Sequence, residues 1–115
     1  MDDQEWVAPT RLRHPVVELP GQLDVTNARQ VGERLAEALR PGVSVVIVDL
    51  SRTTFCDSSG VRILVLAARQ AAAGGIRLRL VVTATAVLRI FELSGLDSLL
   101  PVYASVSEAL GTAPS

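Results

Sequence analysis

The mainly apolar run VSVVIVDL, from Val43 to Leu50, is rich in β-branched residues and shows no alternation. A run of that kind predicts a strand buried on both faces. On either side of it the period changes. In TNARQVGERLAEALRPG, Ala28, Val31, Leu35, Ala38 and Leu39 recur at helical spacing, with Arg29, Gln30, Glu33 and Glu37 turned away from them. That spacing predicts an amphipathic helix, with Thr26 as its N-cap and Pro41-Gly42 as its stop. In SSGVRILVLAARQAAAGG a second helix is predicted, ended by Gly74-Gly75. Val61, Leu64, Val65, Ala68 and Ala72 are assigned to its core face, and Ile63 and Leu66 to the opposite side, where they form either a contact surface or a face covered by a layer of neighbouring structure. IRLRLVV alternates as a strand, ATAVLRIFELSG reads as a third helix and SVSEALG as a short fourth. Towards the N-terminus, HPVVELPGQLD reads as a strand interrupted at Pro20-Gly21, and WVAPTRLR as a short edge strand. MDDQ and GTAPS are expected to be loose tails.

Strands alternating with helices imply a mostly parallel sheet with crossovers. The expected fold class is therefore α/β, a mixed central sheet covered by about four helices mainly on one side. The 115 residues suit one domain, residues 1–115 with a core of about 13–110, and 49% hydrophobic residues supply ample core. The formal charge of −1 argues against a nucleic-acid binder held by phosphate contacts. Cys56, the single cysteine, has no partner for an internal disulfide, which fits a reducing compartment. MDDQEW lacks the basic and apolar regions of a signal peptide, and no apolar run reaches the about 20 residues of a membrane span. A cytoplasmic location is expected.

The candidate chemistry lies in TTFCDSSGVRIL, where the buried strand gives way to the second helix. Functional groups of open α/β sheets collect at such carboxyl ends of strands. Asp57 or Ser58 is expected to cap the helix, and Gly60 to leave backbone open to a partner. A serine hydrolase elbow would want glycine two places either side of Ser58; Gly60 fits, but Cys56 occupies the earlier place, and His14 is the only histidine. A P-loop requires a lysine, and all eleven basic residues are arginine. No His/Cys cluster suits zinc. Asp49 at a strand end is suggestive of a phosphoacceptor aspartate, but the acidic pair and later lysine of receiver domains are missing. No catalytic residue and no metal site are assigned. A serine at a helix start beside an acid remains open to two readings, a cap or a target for a kinase. Phosphate would add about −1.5 to −2 charge, tolerable at a helix N-terminus but not against an acidic or apolar partner.

FCDSSGVRIL resembles the phosphorylation motif of bacterial anti-sigma factor antagonists, the STAS domains. VVELPGQLDVTNA is similar to their second strand and acidic turn, VVIVDLSRTTFCDSSG to their central strand and switch loop, and AVLRIFELSGL to their third helix. The resemblance runs from about Arg13 to Leu110. It implies a STAS-like fold and a transcription regulator without enzymatic activity or cofactor. Such a protein, unphosphorylated, binds an anti-sigma factor Ser/Thr kinase and frees a sigma factor. The kinase, with its own Mg-ATP, then phosphorylates the antagonist and ends binding, and a Ser/Thr phosphatase restores it. By position, Ser58 is the phosphoacceptor. Asp24, Asp57, Ser59 and Arg62 are the expected partner-binding residues, joined by Ile63 and Leu66 from their place on the helix. A monomer or weak dimer is expected, with no direct contact to nucleic acid or membrane. Arg62 departs from the small residue many relatives carry there, and Leu88 from a charged one; both bear on the partner surface rather than on the fold. The alternative is a STAS scaffold or transport-system subunit not controlled by phosphorylation.

Overall fold

The computed structural model describes residues 14–111. The expected edge strand WVAPTRLR and most of the two tails lie outside them. The buried run forms β3, Val45–Leu50, inside a sheet that has four strands among the described residues. β1, Val16–Glu18, lies on one side of it, with Val16 opposite Ile47; β5, Arg77–Val82, lies on the other, with Val45 opposite Arg77. β6, Val102–Tyr103, adds to the far side of β5. Every pairing among the described residues is parallel.

Parallel neighbours demand crossovers, and the helices supply them. α1 (Ala28–Ala38), α2 (Ser58–Ala73) and α3 (Thr85–Ser94) pack on one face, where Val46, Val48 and Leu50 of β3 meet Leu78, Leu80 and Val82 of β5. The other face is narrower: Val45, Ile47 and Val81 pack with Ala109 of the short α5, Val106–Gly111. Arg79 is buried on this side, and its guanidinium donates to the carbonyl of Ala109 at 2.7 Å, tying α5 to β5. A further turn of helix, α4 (Leu96–Leu99), follows Gly95, whose φ of +81° lets α3 stop and the chain reverse. Five helices are thus described where the apolar pattern marked about four.

Three local readings are corrected. HPVVELPGQLD is not one interrupted strand: after Leu19 the chain leaves the main sheet, and β2, Gln22–Leu23, pairs instead with β4, Phe55–Cys56. The Pro-Gly step redirects the chain, and Thr53 and Thr54 hold it there by donating to the carbonyls of Pro20 and Gly21. Thr26 does not cap α1. Its N–H and hydroxyl both donate to Asp24 in a turn that delays the helix, and Asn27 stands at the N-cap. On α2 the buried positions are Gly60, Leu64, Ala67, Ala68 and Ala71; Val61 and Val65 are half-buried and Ala72 is exposed. The stripe is turned from the expected one because α2 packs against both the sheet and α1, which admits its small alanines most closely.

Candidate functional site

The Asp57-Ser58-Ser59-Gly60 junction sits where β4 runs into α2, beyond the carboxyl end of β3. Asp57 settles the capping question. Its backbone is extended, and its Oδ1 accepts from the N–H groups of Ser59 at 2.8 Å and Gly60 at 3.2 Å. Ser58 is then the first residue of α2, exposed, and no hydrogen bond engages its hydroxyl among the described residues. The capping at this helix start is done by Asp57, which leaves the Ser58 hydroxyl exposed and not needed by the fold.

Gly60 is not an open stretch of backbone, contrary to expectation. It is buried, and a Cβ there would lie 2.7 Å from both Cys56 Sγ and Leu23 Cγ. The missing side chain lets α2 descend onto the β2–β4 ribbon. The ribbon is bonded at this point: the Asp57 N–H donates to the Leu23 carbonyl at 3.1 Å. One residue past Leu23 is Asp24, so the acidic turn and the capped serine stand side by side. The Thr26 hydroxyl, then the Thr26 N–H, hold the Asp24 carboxyl below the ordinary carboxylate range. The Asp24 N–H donates to Asn27 Oδ1 at 3.0 Å, and Asn27 Nδ2 donates to the Gln22 carbonyl, so the turn is cross-braced. Cys56 is buried under the junction, where desolvation and then the Asp57 charge push its thiol up to about 11. At neutral pH it is a small packed hydrophobe rather than a thiolate nucleophile.

His14 lies just before β1, at the amino end of the sheet, whereas Ser58 lies beyond its carboxyl end. At about 3.3 Å per residue, six residues of β3 separate the two levels by roughly 20 Å. The structure therefore does not bring the histidine to the serine. Among the described residues no group of three or more His, Cys, Asp or Glu could hold a metal ion, and no helix is long and apolar enough to cross a membrane.

A groove of about 440 Å³ opens beside Ser58, between the first turns of α2 and the end of α3. Asp57, Ser58, Val61 and Arg62 form one wall; Ile90, Leu93 and Ser94 form the other. Leu93 is 79% exposed. Its place off the Val87–Phe91 core stripe of α3 is a signal in the sequence of the same kind that marks Leu66, although Leu93 is not among the partner-binding residues expected above. Phe55 and Val25, exposed on β4 and in the acidic turn, escaped notice because neither lies on a helix with a period to violate. Leu88 packs against the core and does not add to the apolar surface.

The structure thus gathers Asp24, Asp57, Ser58, Ser59 and Arg62 around one helix end. Leu66, 50% exposed, lies two turns along α2. Ile63 does not lie opposite the core. It is half-buried in the seam between α1 and α2, over Gly32. Ile63 and Leu66 share another, smaller groove of about 300 Å³ with Arg29 and Gly32 of α1.

The comparisons agree with this architecture. The STAS domain family model matches residues 5–109, and the chain belongs to that family. A Bordetella bronchiseptica protein named "Putative anti-sigma factor antagonist BtrV" is 34% identical over 84 residues, covering 73% of this chain and 72% of its own length. Among solved structures, an anti-sigma factor antagonist from Mycobacterium paratuberculosis superposes with a TM-score of 0.78 at 24% identity, over 86% of this chain and 84% of that one. The Bacillus cell fate determinant SpoIIAA in its phosphorylated form superposes with a TM-score of 0.66 at 27% identity, over 86% and 89% of the two chains. In sequence and structure the chain is similar to anti-sigma factor antagonists of the STAS family, and a sulfate transporter family protein from Wolinella succinogenes shares the fold with a TM-score of 0.72 at 19% identity, over 96% of this chain and 90% of that one.

Proposed function

We propose that the chain works by partner switching. Unphosphorylated, it binds an anti-sigma factor that is a Ser/Thr kinase and so releases a sigma factor; phosphorylation of Ser58 by that kinase ends the interaction, and a phosphatase restores it. The chain acts by binding, with no catalysis and no cofactor of its own, as one domain of the cytoplasm. The observation that carries this reading is the division of labour at the start of α2. Asp57 does the capping, and Ser58 stands exposed with nothing for its hydroxyl to hold. A phosphate can be added there without breaking a bond of the fold.

What changes is the surface. The groove beside Ser58 is lined mainly by Val61, Ile90 and Leu93, and its apolar walls suit a partner's apolar side chain. About −1.5 to −2 charge at its lip would have to be desolvated for such a partner to seat. Asp24, Asp57, Ser59, Arg62 and Leu66 complete the surface in this reading, with Ile63 behind it. The phosphorylated state of the solved SpoIIAA relative is consistent with such a switch.

The test is site mapping by mass spectrometry after incubation with a cognate anti-sigma factor kinase and Mg-ATP, paired with a binding titration of each form. Phosphate is expected on Ser58, with the phosphoprotein binding at least tenfold more weakly. Ser58→Ala is expected to bind and resist phosphorylation, and Ser58→Asp to bind poorly. Phosphate on Ser59 would overturn the residue assignment. Equal affinity of the two forms would overturn the switch and leave a STAS scaffold as the better reading.

A further inference from the structure

We infer that Arg62 is the intramolecular partner of a phosphate on Ser58, forming an ion pair along α2 that exists only in the modified protein. The inference rests on the reading of Ser58 as the phosphoacceptor. Ser58 and Arg62 are four residues apart on one helix, both exposed, and both line the same groove. Side chains at that spacing start about 5–6 Å apart, and an acidic group placed N-terminal to a cation is the favoured orientation. Arg62 makes no ion pair or hydrogen bond among the described residues; the ion pair found on this side of the sheet joins Arg29 to Glu33 on α1. Nothing therefore has to be broken for the guanidinium to turn towards residue 58.

The helix start itself offers the phosphate less than its position suggests. The N–H groups of Ser59 and Gly60 already donate to Asp57. The rest of the groove wall is Val61, Ile90 and Leu93, without polar atoms in their side chains, and the Ser94 hydroxyl donates to the Phe91 carbonyl at 3.2 Å. Beside the Ser58 N–H and the Ser59 hydroxyl, the guanidinium is the charged donor lining the groove. Its planar fork matches two phosphate oxygens at once, a geometry that an ammonium does not provide. Phosphorylation then alters the surface twice, adding charge at Ser58 and drawing Arg62 across the mouth of the groove.

The test uses the full chain with phosphoserine genetically encoded at position 58, so that it does not depend on any kinase. The second ionisation of the phosphate, near pH 6, is followed by ³¹P NMR in low salt. A cation at four-residue spacing favours the dianion, so the wild-type phosphate should titrate roughly 0.15–0.4 pH unit lower than that of Arg62→Gln. Arg62→Lys should recover part of that difference, and 1 M NaCl should remove most of it. Superimposable titrations of the wild-type and Arg62→Gln phosphoproteins in low salt would overturn the inference. Thermal unfolding of unmodified Arg62→Gln should match wild type, since the side chain is exposed and holds nothing. Failure of a kinase to modify Ser58 would count against the proposed function alone, whereas coincident titrations would count against the Arg62 pairing alone.

Discussion

Gly60→Ala is the substitution that most directly tests how α2 is seated. Alanine is a better helix former than glycine by about 1 kcal/mol in a helix interior and by less in a first turn, so propensity alone predicts a gain. The structure predicts the opposite sign. The new Cβ would stand 2.7 Å from Cys56 Sγ and from Leu23 Cγ, and 3.0 Å from Leu23 Cδ2. Carbon contacts are comfortable at about 3.5–4.0 Å, so something must move by roughly 1 Å. Neither neighbour can yield by swinging a flexible end. Leu23 and Cys56 are buried, they are paired with each other across the β2–β4 ribbon, and the ribbon is bonded through the Asp57 N–H. Overpacking of this kind costs about 1–3 kcal/mol. Set against the propensity gain, a net loss of about 1–2 kcal/mol follows, or about 4–8 °C in Tm at this chain length.

Gly32→Ala on α1 is the matched control. There the added Cβ would meet Ile63 Cγ2 at 3.7 Å, an ordinary contact. The same chemistry should therefore stabilise by about 0.5–1 kcal/mol. Equilibrium urea unfolding followed by far-UV circular dichroism gives both values on one scale, with the slopes checked for equality. A Gly60→Ala protein as stable as wild type, or more so, would refute the argument, because the ribbon would then have yielded at no cost and the glycine would not be a packing requirement.

Asp57→Ala should cost about 1–2 kcal/mol in the same assay, through loss of the cap to Ser59 and Gly60, while Ser58→Ala should change stability by less than about 0.5 kcal/mol. A reversed order would return the capping role to Ser58. Ile63→Asp should destabilise by about 1–3 kcal/mol because the carboxylate enters the α1–α2 seam, whereas Leu66→Asp should stay within about 0.5 kcal/mol; equal melting temperatures for the two variants would place both residues at the surface. The Cys56 thiol is raised from 9.0 to about 11, so its neutral form is favoured by folding. Its contribution to stability should be fully present below pH 9 and lost as pH rises through about 11. The loss should be absent in Cys56→Ala, and an unchanged pH profile in that variant would assign the alkaline loss elsewhere.

The positions that the chain's own pattern determines are those whose environment is set by many like neighbours. VVIVDL is buried whichever way it is approached, so β3 had to be central. The α1 stripe of Ala28, Val31, Leu35 and Leu39 is buried as its period requires, because a single apolar stripe leaves a helix one way to face. Asp57 and Ser58 were both legible as candidates for the cap, and the Gly74-Gly75 stop follows from residue chemistry alone. Tertiary structure decided what the period leaves free. α2 is apolar over more than one stripe, and successive residues are about 100° apart. Contact with two layers, the sheet and α1, selected Gly60, Leu64, Ala67, Ala68 and Ala71 and placed Ile63 in a seam. β2 and β4 are two residues each, too short to carry any period, so nothing local announced that Leu23 and Cys56 would meet beneath Gly60. The groove beside Ser58 needs Leu93 from a helix some thirty residues further on, and only the right-handed crossovers of a parallel sheet bring that wall to the serine.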